Sequence, residues 1–189
     1  MKTIALVAEK GAGKGLFVDI IEKLLPDQHV VSVRFSDALC DILDILDKEK
    51  SRHNIVTLVT ALRESFQDEG LLVNAMQRRL QGIDADIVIL DGLRKEKEIA
   101  LVRDRLGTLV YIVADQKVRF DRRTQTSEKS DEMGMSWDTF VEQDNAAPER
   151  EIRHIGETMA DATIENNGSV EEFEDAIRKF IERNGFGNT

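Results

Sequence analysis

Three stretches of the 189-residue sequence combine residue types whose spacing can do chemistry. In "ALVAEKGAGKGLFVDII", residues 5–21, Gly11, Gly13 and Gly15 surround Lys14 between an apolar run and an amphipathic one. Glycines let the backbone curl until successive N–H groups point at one anion. A helix amino terminus adds its positive end, and Lys14 adds a mobile full charge. Phosphate is the anion this cradle suits, with Gly11, Ala12, Gly13, Lys14, Gly15 and Leu16 along its wall. The pattern G-x-x-x-x-G-K-[ST] is broken twice, by Ala8 at its first position and by Gly15-Leu16 where a hydroxyl belongs. One extra methyl at Ala8 is tolerable in extended backbone. The plainer alternative is a tight turn carrying a solvated lysine.

In the second stretch, "VILDGLRK", Asp91 ends an apolar run, so its carboxylate emerges where the strand ends. An acid there can hold Mg²⁺ through water or orient an attacking oxygen. Gly92 permits close approach, and Arg94 can reach a second anion. The third group is a scatter of arginines with one more acid. Arg34 and Asp37 lie in "VRFSDAL", Arg52 and Arg63 stand three helical turns apart, and Arg119, Arg122 and Arg123 cluster in "VRFDRR". Guanidinium forks suit bidentate phosphate binding. Helix caps and solvated charges account for the same residues in the simpler reading.

Alternating elements must position these groups. "TIALVA", "HVVSVRF", "ADIVIL", "TLVYIVA" and "DATIE" read as strands, the first as buried on both faces and the third as buried. "LFVDIIEKLL" shows helical spacing and ends at Pro26. "SDALCDILDIL" reads as a helix capped by Ser36, with Cys40 as a buried thiol. Two helices are expected within 52–81, one over 95–106, a short basic one over 116–123, one over 138–158, and a closing helix capped by Ser169. Residues 124–137 carry no periodic apolar face and read as a mobile excursion, with Trp137 and Phe140 anchoring the return. Strands alternating with helices specify an open parallel sheet covered on both faces, with ligands beyond the carboxyl ends of its strands.

The chain is 41% hydrophobic and 33% charged, an ordinary mix for one globular domain spanning residues 1–189. Its net charge of -10 argues against a broad grip on nucleic acid and leaves room only for a local basic pocket. A single cysteine excludes an internal disulfide or a thiolate cluster, and His29, His53 and His154 lack metal-ligand spacing. No run is long enough for a signal peptide or membrane span, so a cytoplasmic protein without a membrane or nucleic-acid partner is expected, monomer or homodimer.

"GAGKG" resembles the loop of adenylate kinase and related nucleoside monophosphate kinases, in which glycine and then threonine follow the lysine. "SRHNIVTLVTALRESFQDEGLL", "VILDGLRK" and "MADATIENNGSVEEF" are similar to segments of deoxynucleoside monophosphate kinases and dephospho-CoA kinase-like proteins, in the same order. The resemblance implies an α/β P-loop NTPase fold, a three-layer α/β/α sandwich with a five-stranded parallel sheet and a helical lid. It implies an ATP-dependent phosphotransferase acting on a nucleoside or deoxynucleoside monophosphate, with dephospho-CoA as the second acceptor.

By the same resemblance, residues 35–85 form the acceptor-binding region, and Arg34, Asp37, Arg52, Arg63 and Arg94 bind acceptor. Residues 124–137 form the lid. Lys14, Asp91, Arg119 and Arg123 are catalytic, with Arg119 and Arg123 swinging over the phosphoryl group. Asn166, Asn167 and Gly168 meet the adenine, and Mg²⁺ is held by Asp91 through water. Leu16, and Val56 where relatives carry glutamine, depart from the pattern. They keep open a nucleotide-binding switch that has lost transfer; an ATP-hydrolysing motor is the weaker rival.

Overall fold

The computed structural model describes residues 1–126 and 135–187. Five strands, β1 (Lys2–Ala8), β2 (Val30–Arg34), β3 (Ile87–Asp91), β4 (Thr108–Val113) and β5 (Ala162–Glu165), pair in parallel in the order β2-β3-β1-β4-β5. β1 is central, so it needs apolar side chains on both faces, which "TIALVA" supplies. Ile4, Leu6 and Ala8 point to one side and Ala5 and Val7 to the other, all at 5% exposure or less.

The first side is covered by α1 (Lys14–Leu24) through Phe17, Ile20 and Ile21, and by α9 (Val170–Asn184) through Phe173, Ile177, Phe180 and Ile181. The second is covered by α4 (Leu71–Leu80), α5 (Glu96–Asp104) and α8 (Ala147–Met159), through Leu72, Met76, Leu80, Ile99, Val102, Ile152 and Ile155. Two further helices, α2 (Asp37–Ile45) and α3 (Arg52–Phe66), complete a helical region over 35–85. α3 lies on the surface with no fully buried residue, and Val56 and Phe66 are exposed.

The strand order reverses at β1. The chain leaves it toward β2 on one side, and from β3 crosses to β4 on the other. A crevice opens between the carboxyl ends of β1 and β3, the place where open α/β sheets bind ligands. The register sets Asp91 beside Leu6 of β1 and Arg34 of β2.

Three expectations are corrected. The single helix over 138–158 is two, α7 (Trp137–Asp144) and α8, separated at Asn145 and Ala146. Pro148 lies in the first turn of α8, has no N–H for a continuing ladder, and clashes with one, so the chain must restart there. Ser36 precedes α2 but makes no capping hydrogen bond; Asp37 instead accepts from the Arg34 N–H at 2.8 Å. Cys40 is half-buried rather than buried, and that burial, with Asp37 nearby, pushes its thiol up. The lid expectation falls mainly on residues 127–134, outside the described residues. Its first three residues form the last turn of α6 (Gln116–Thr126), and Trp137 opens α7.

Candidate functional site

The loop between β1 and α1 takes its shape from two glycines. Gly11 has φ 80° and Gly13 φ 106°, backbone that L side chains rarely adopt. A Cβ on Gly11 would lie 2.8 Å from the Arg119 carbonyl oxygen, and one on Gly13 would collide with Asn166 Nδ2. Gly15 has open space around it, so the fold does not require a glycine there. Leu16, in place of a hydroxyl, packs its partly buried side chain against the cluster on the α1/α9 face.

Behind the loop lies a closed ring of four charges that the sequence did not disclose. Buried Glu9 accepts from the Tyr111 hydroxyl at 2.7 Å and from Arg153 Nε at 2.9 Å. Buried Asp144 takes the Arg119 fork at 2.5 and 2.8 Å, Gln116 at 2.8 Å and Arg153 at 3.2 Å. Arg119 also donates from Nε to the Ala114 carbonyl and reaches the Lys10 carbonyl at 3.4 Å. Paired charges with filled hydrogen bonds meet the condition for burial. Burial alone would raise Asp144, but the bonds from Arg119 and Gln116 hold it below the usual carboxylate range. Burial, reinforced by Glu9, pushes the Tyr111 phenol well above its ordinary value. Asn166 fastens the loop from the far side, donating to the Ala12 carbonyl at 2.8 Å while its own oxygens accept from Arg122.

At the crevice mouth the charges are mostly positive. Lys14 sits among Asp91, Arg94, Glu149 and Arg34; burial pulls its ammonium below the ordinary lysine range, against the attraction of Asp91. Lys10 is held at 3.2 Å by Glu149 and is likewise lowered, first by burial. Arg52 and Arg123 lie within electrostatic reach of Lys10. Arg123 also lies over the Phe140 ring, 5.8 Å from its centroid. Arg34 Nε is 3.4 Å from Asp91 Oδ2, whereas Asp91 Oδ1 is buried without a hydrogen-bond partner. An orphaned buried carboxylate oxygen has an unmet demand for a donor or cation. Among the described residues no group of three or more His, Cys, Asp or Glu is placed to hold a metal ion. Asp91 fits a water-mediated metal contact through that oxygen.

The shikimate kinase of Bacteroides thetaiotaomicron superposes with a TM-score of 0.62 at 17% identity, covering 97% of this chain and 98% of that one. This is the P-loop kinase fold. The shikimate kinase of Aquifex aeolicus (TM-score 0.59, 18% identity, 98% and 99% covered) and a gluconokinase from Sinorhizobium meliloti (TM-score 0.56, 10% identity, 100% and 98% covered) share it. In sequence the chain is 28% identical over 189 residues to a UPF0200 protein of Saccharolobus islandicus, covering 97% of this chain and 94% of that one. It is 26% identical over 182 residues to one of Thermococcus kodakarensis, covering 91% and 92%. Those names state no activity. No protein-family model matches the chain.

Within this P-loop kinase fold, Lys14, Asp91, Arg34 and Arg94 converge at the mouth, with Arg52 and Arg123 on the Lys10 side. Arg63 is half-buried in α3, its Nε without a hydrogen-bond partner, 4.0 Å from Glu69 and within reach of Glu98. The structure places two residues elsewhere than expected. Arg119 is 2% exposed and locked behind the loop by its fork on Asp144, so it has no freedom to swing over a phosphoryl group. Asn166 is equally buried and faces the loop backbone. Only Asn167 and Gly168 of the "NNG" turn are exposed, and Asn167 bonds the Asp115 backbone at 2.7 Å.

Sequence reasoning missed Glu9, Tyr111, Asp144, Glu149 and Arg153. One signal was present: a tyrosine inside the apolar run "TLVYIVA" needs a partner for its hydroxyl.

Proposed function

We propose that the protein is an ATP-dependent phosphotransferase that moves the terminal phosphoryl of ATP to a nucleoside or deoxynucleoside monophosphate. One observation carries this reading: a left-handed glycine loop presents Lys14 beside Asp91 at the sheet's switch point, facing arginines from β2 and the β3–α5 connection. The backbone N–H groups and Lys14 take the donor phosphates. Arg34 and Arg94, with Arg52 and Arg63 on α3, take the acceptor phosphate, Arg94 from the side beside Lys14 where it also meets the donor chain, and Asp37 orients β2's end by binding the Arg34 N–H. Asn167 and Gly168 border the adenine. Mg²⁺, when bound, would neutralise charge on the phosphate chain, and Asp91, whose Oδ1 has no hydrogen-bond partner, would hold it through water. Water exclusion and charge placement are what phosphoryl transfer asks of a protein. The work suits a cytoplasmic protein, and no described helix is long and apolar enough to cross a membrane.

The test is a panel: ATP and Mg²⁺ with each ribo- and deoxyribonucleoside monophosphate and dephospho-CoA, following phosphorylated product, with Lys14→Ala as control. Acceptor-dependent product from wild type alone supports the reading. Acceptor-independent hydrolysis of ATP rejects it. A second reading, a nucleotide-binding switch, is favoured by the apolar packing of Leu16 and the locking of Arg119. Tight ATP binding with no product from any acceptor selects it.

A further inference from the structure

Glu149 stands apart from the charges behind the loop. It is 2% exposed, in the first turn of α8, and among the described residues neither carboxylate oxygen has a well-aligned hydrogen-bond donor. Its contacts are two cations at the crevice mouth, Lys10 Nζ at 3.2 Å and Arg94 Nη1 at 3.6 Å, both on Oε1. Glu9 and Asp144, by contrast, are saturated with donors. A buried carboxylate held through one oxygen by two cations is an anion in the setting of a phosphate: bridged by a loop lysine and an arginine, beside Lys14.

We propose that Glu149 is an internal counter-anion of the phosphate loop, occupying Lys10 and Arg94 until a polyphosphate chain displaces it. The inference rests on the phosphate-binding reading of the loop. Without the carboxylate, Lys10 would be a desolvated ammonium with no partner, so Glu149 keeps the loop's cations in place before ligand arrives. The same pairing must be broken for Lys10 and Arg94 to reach a phosphate, which lowers affinity and eases release of the spent chain. Glu149 is therefore a positioning residue that sets loop affinity through two other side chains.

The probe is inorganic tripolyphosphate, titrated calorimetrically into full-length protein whose folding is checked by melting. Glu149→Gln keeps the shape and removes the charge, and at least fivefold tighter binding is expected. The gain should shrink to under twofold when Glu149→Gln is made in a Lys10→Met/Arg94→Met background, because displacement acts through those two cations. Unchanged or weaker binding in Glu149→Gln overturns the proposal. So does a gain that persists in that background, which would make Glu149 a source of field only. If Glu149→Gln does not fold, Glu149→Asp decides, since it keeps the charge but draws back from both cations. Tightening supports displacement and no change refutes it. Lys14→Ala separates the premise: wild-type affinity in that variant would mean that the loop does not bind phosphate at all.

Discussion

Replacing Arg119 by lysine keeps the positive charge and removes the planar fork, so it separates a structural guanidinium from a mobile catalytic one. In the structure Arg119 gives two bonds to Asp144 and one to the Ala114 carbonyl, at 2% exposure. A lysine can replace only one of the two arms. If it reaches Oδ2 it leaves Oδ1 without its donor; if it reaches Oδ1 it leaves Oδ2 with Gln116 and Arg153 alone. In either case the Ala114 carbonyl loses the Nε–H. A hydrogen bond to a charged group is worth about 1.5–3 kcal/mol, and each orphaned buried acceptor adds to the loss, so we expect about 2–4 kcal/mol of destabilisation. Solvent does not screen a pair this buried. For a chain of this size that is a fall of roughly 5–15 °C in Tm. Urea unfolding gives the free energy and tripolyphosphate titration below the transition gives loop competence, which should fall less than about fivefold. Wild-type melting together with abolished turnover would refute the reasoning and restore Arg119 to the role of a mobile cation over the phosphoryl group.

Gly156 lies flat on Tyr111, and a methyl there would overlap the ring. Gly156→Ala should therefore push the phenol off Glu9, cost about 2–3 kcal/mol as an overpacked core does, and weaken tripolyphosphate binding; unaltered melting would contradict the packing. Leu16→Thr gives up apolar packing on the α1/α9 face and supplies the missing hydroxyl. A Tm lower by a few degrees with a several-fold gain in ATP affinity is expected, and no gain would show that the loop is adapted to leucine. Burial holds Lys14 and Lys10 below the ordinary lysine value of 10.5, so between the folded and unfolded values the unfolded chain binds more protons. Their contribution to stability therefore rises with pH across that window, the cost of burying both charges being complete below it. Polyphosphate affinity should fall over the same window and binding should take up protons, seen in calorimetry across buffers of differing ionisation enthalpy; proton-neutral binding there would oppose it.

The sheet was legible because its central strands are nearly unbroken apolar runs, and an apolar run of that length between turn residues has few other uses. Asp91 was legible for the same reason, as the first charge after "VIL". Glycine 11 and 13 announced the loop, although only the structure shows that Gly15 is spatially free while Gly13 is pressed against Asn166. Arg119 was misread because spacing on a helix tells which residues share a face, not whether that face is covered. Its cover, Asp144, lies 25 residues away at the end of α7, just before the break that Pro148 causes. Glu9 and Glu149 were missed because acids in loops and helices usually face solvent, and their partners lie as much as 144 residues away in sequence.

The bond from Asn166 to Ala12 joins residues 154 positions apart, near the two ends of the chain. The loop after β1 is thus completed by a residue made long after it, directly behind β5. At about 5–20 residues per second, roughly 8–30 s of synthesis separate them. Through that interval β1 also awaits β3 and β4, its neighbours on either side. A nascent chain would gain the last support of this loop only when β5 and Asn166 dock, so protection by tripolyphosphate would report that docking. A truncation before Asn166 should keep helices yet be blind to the ligand.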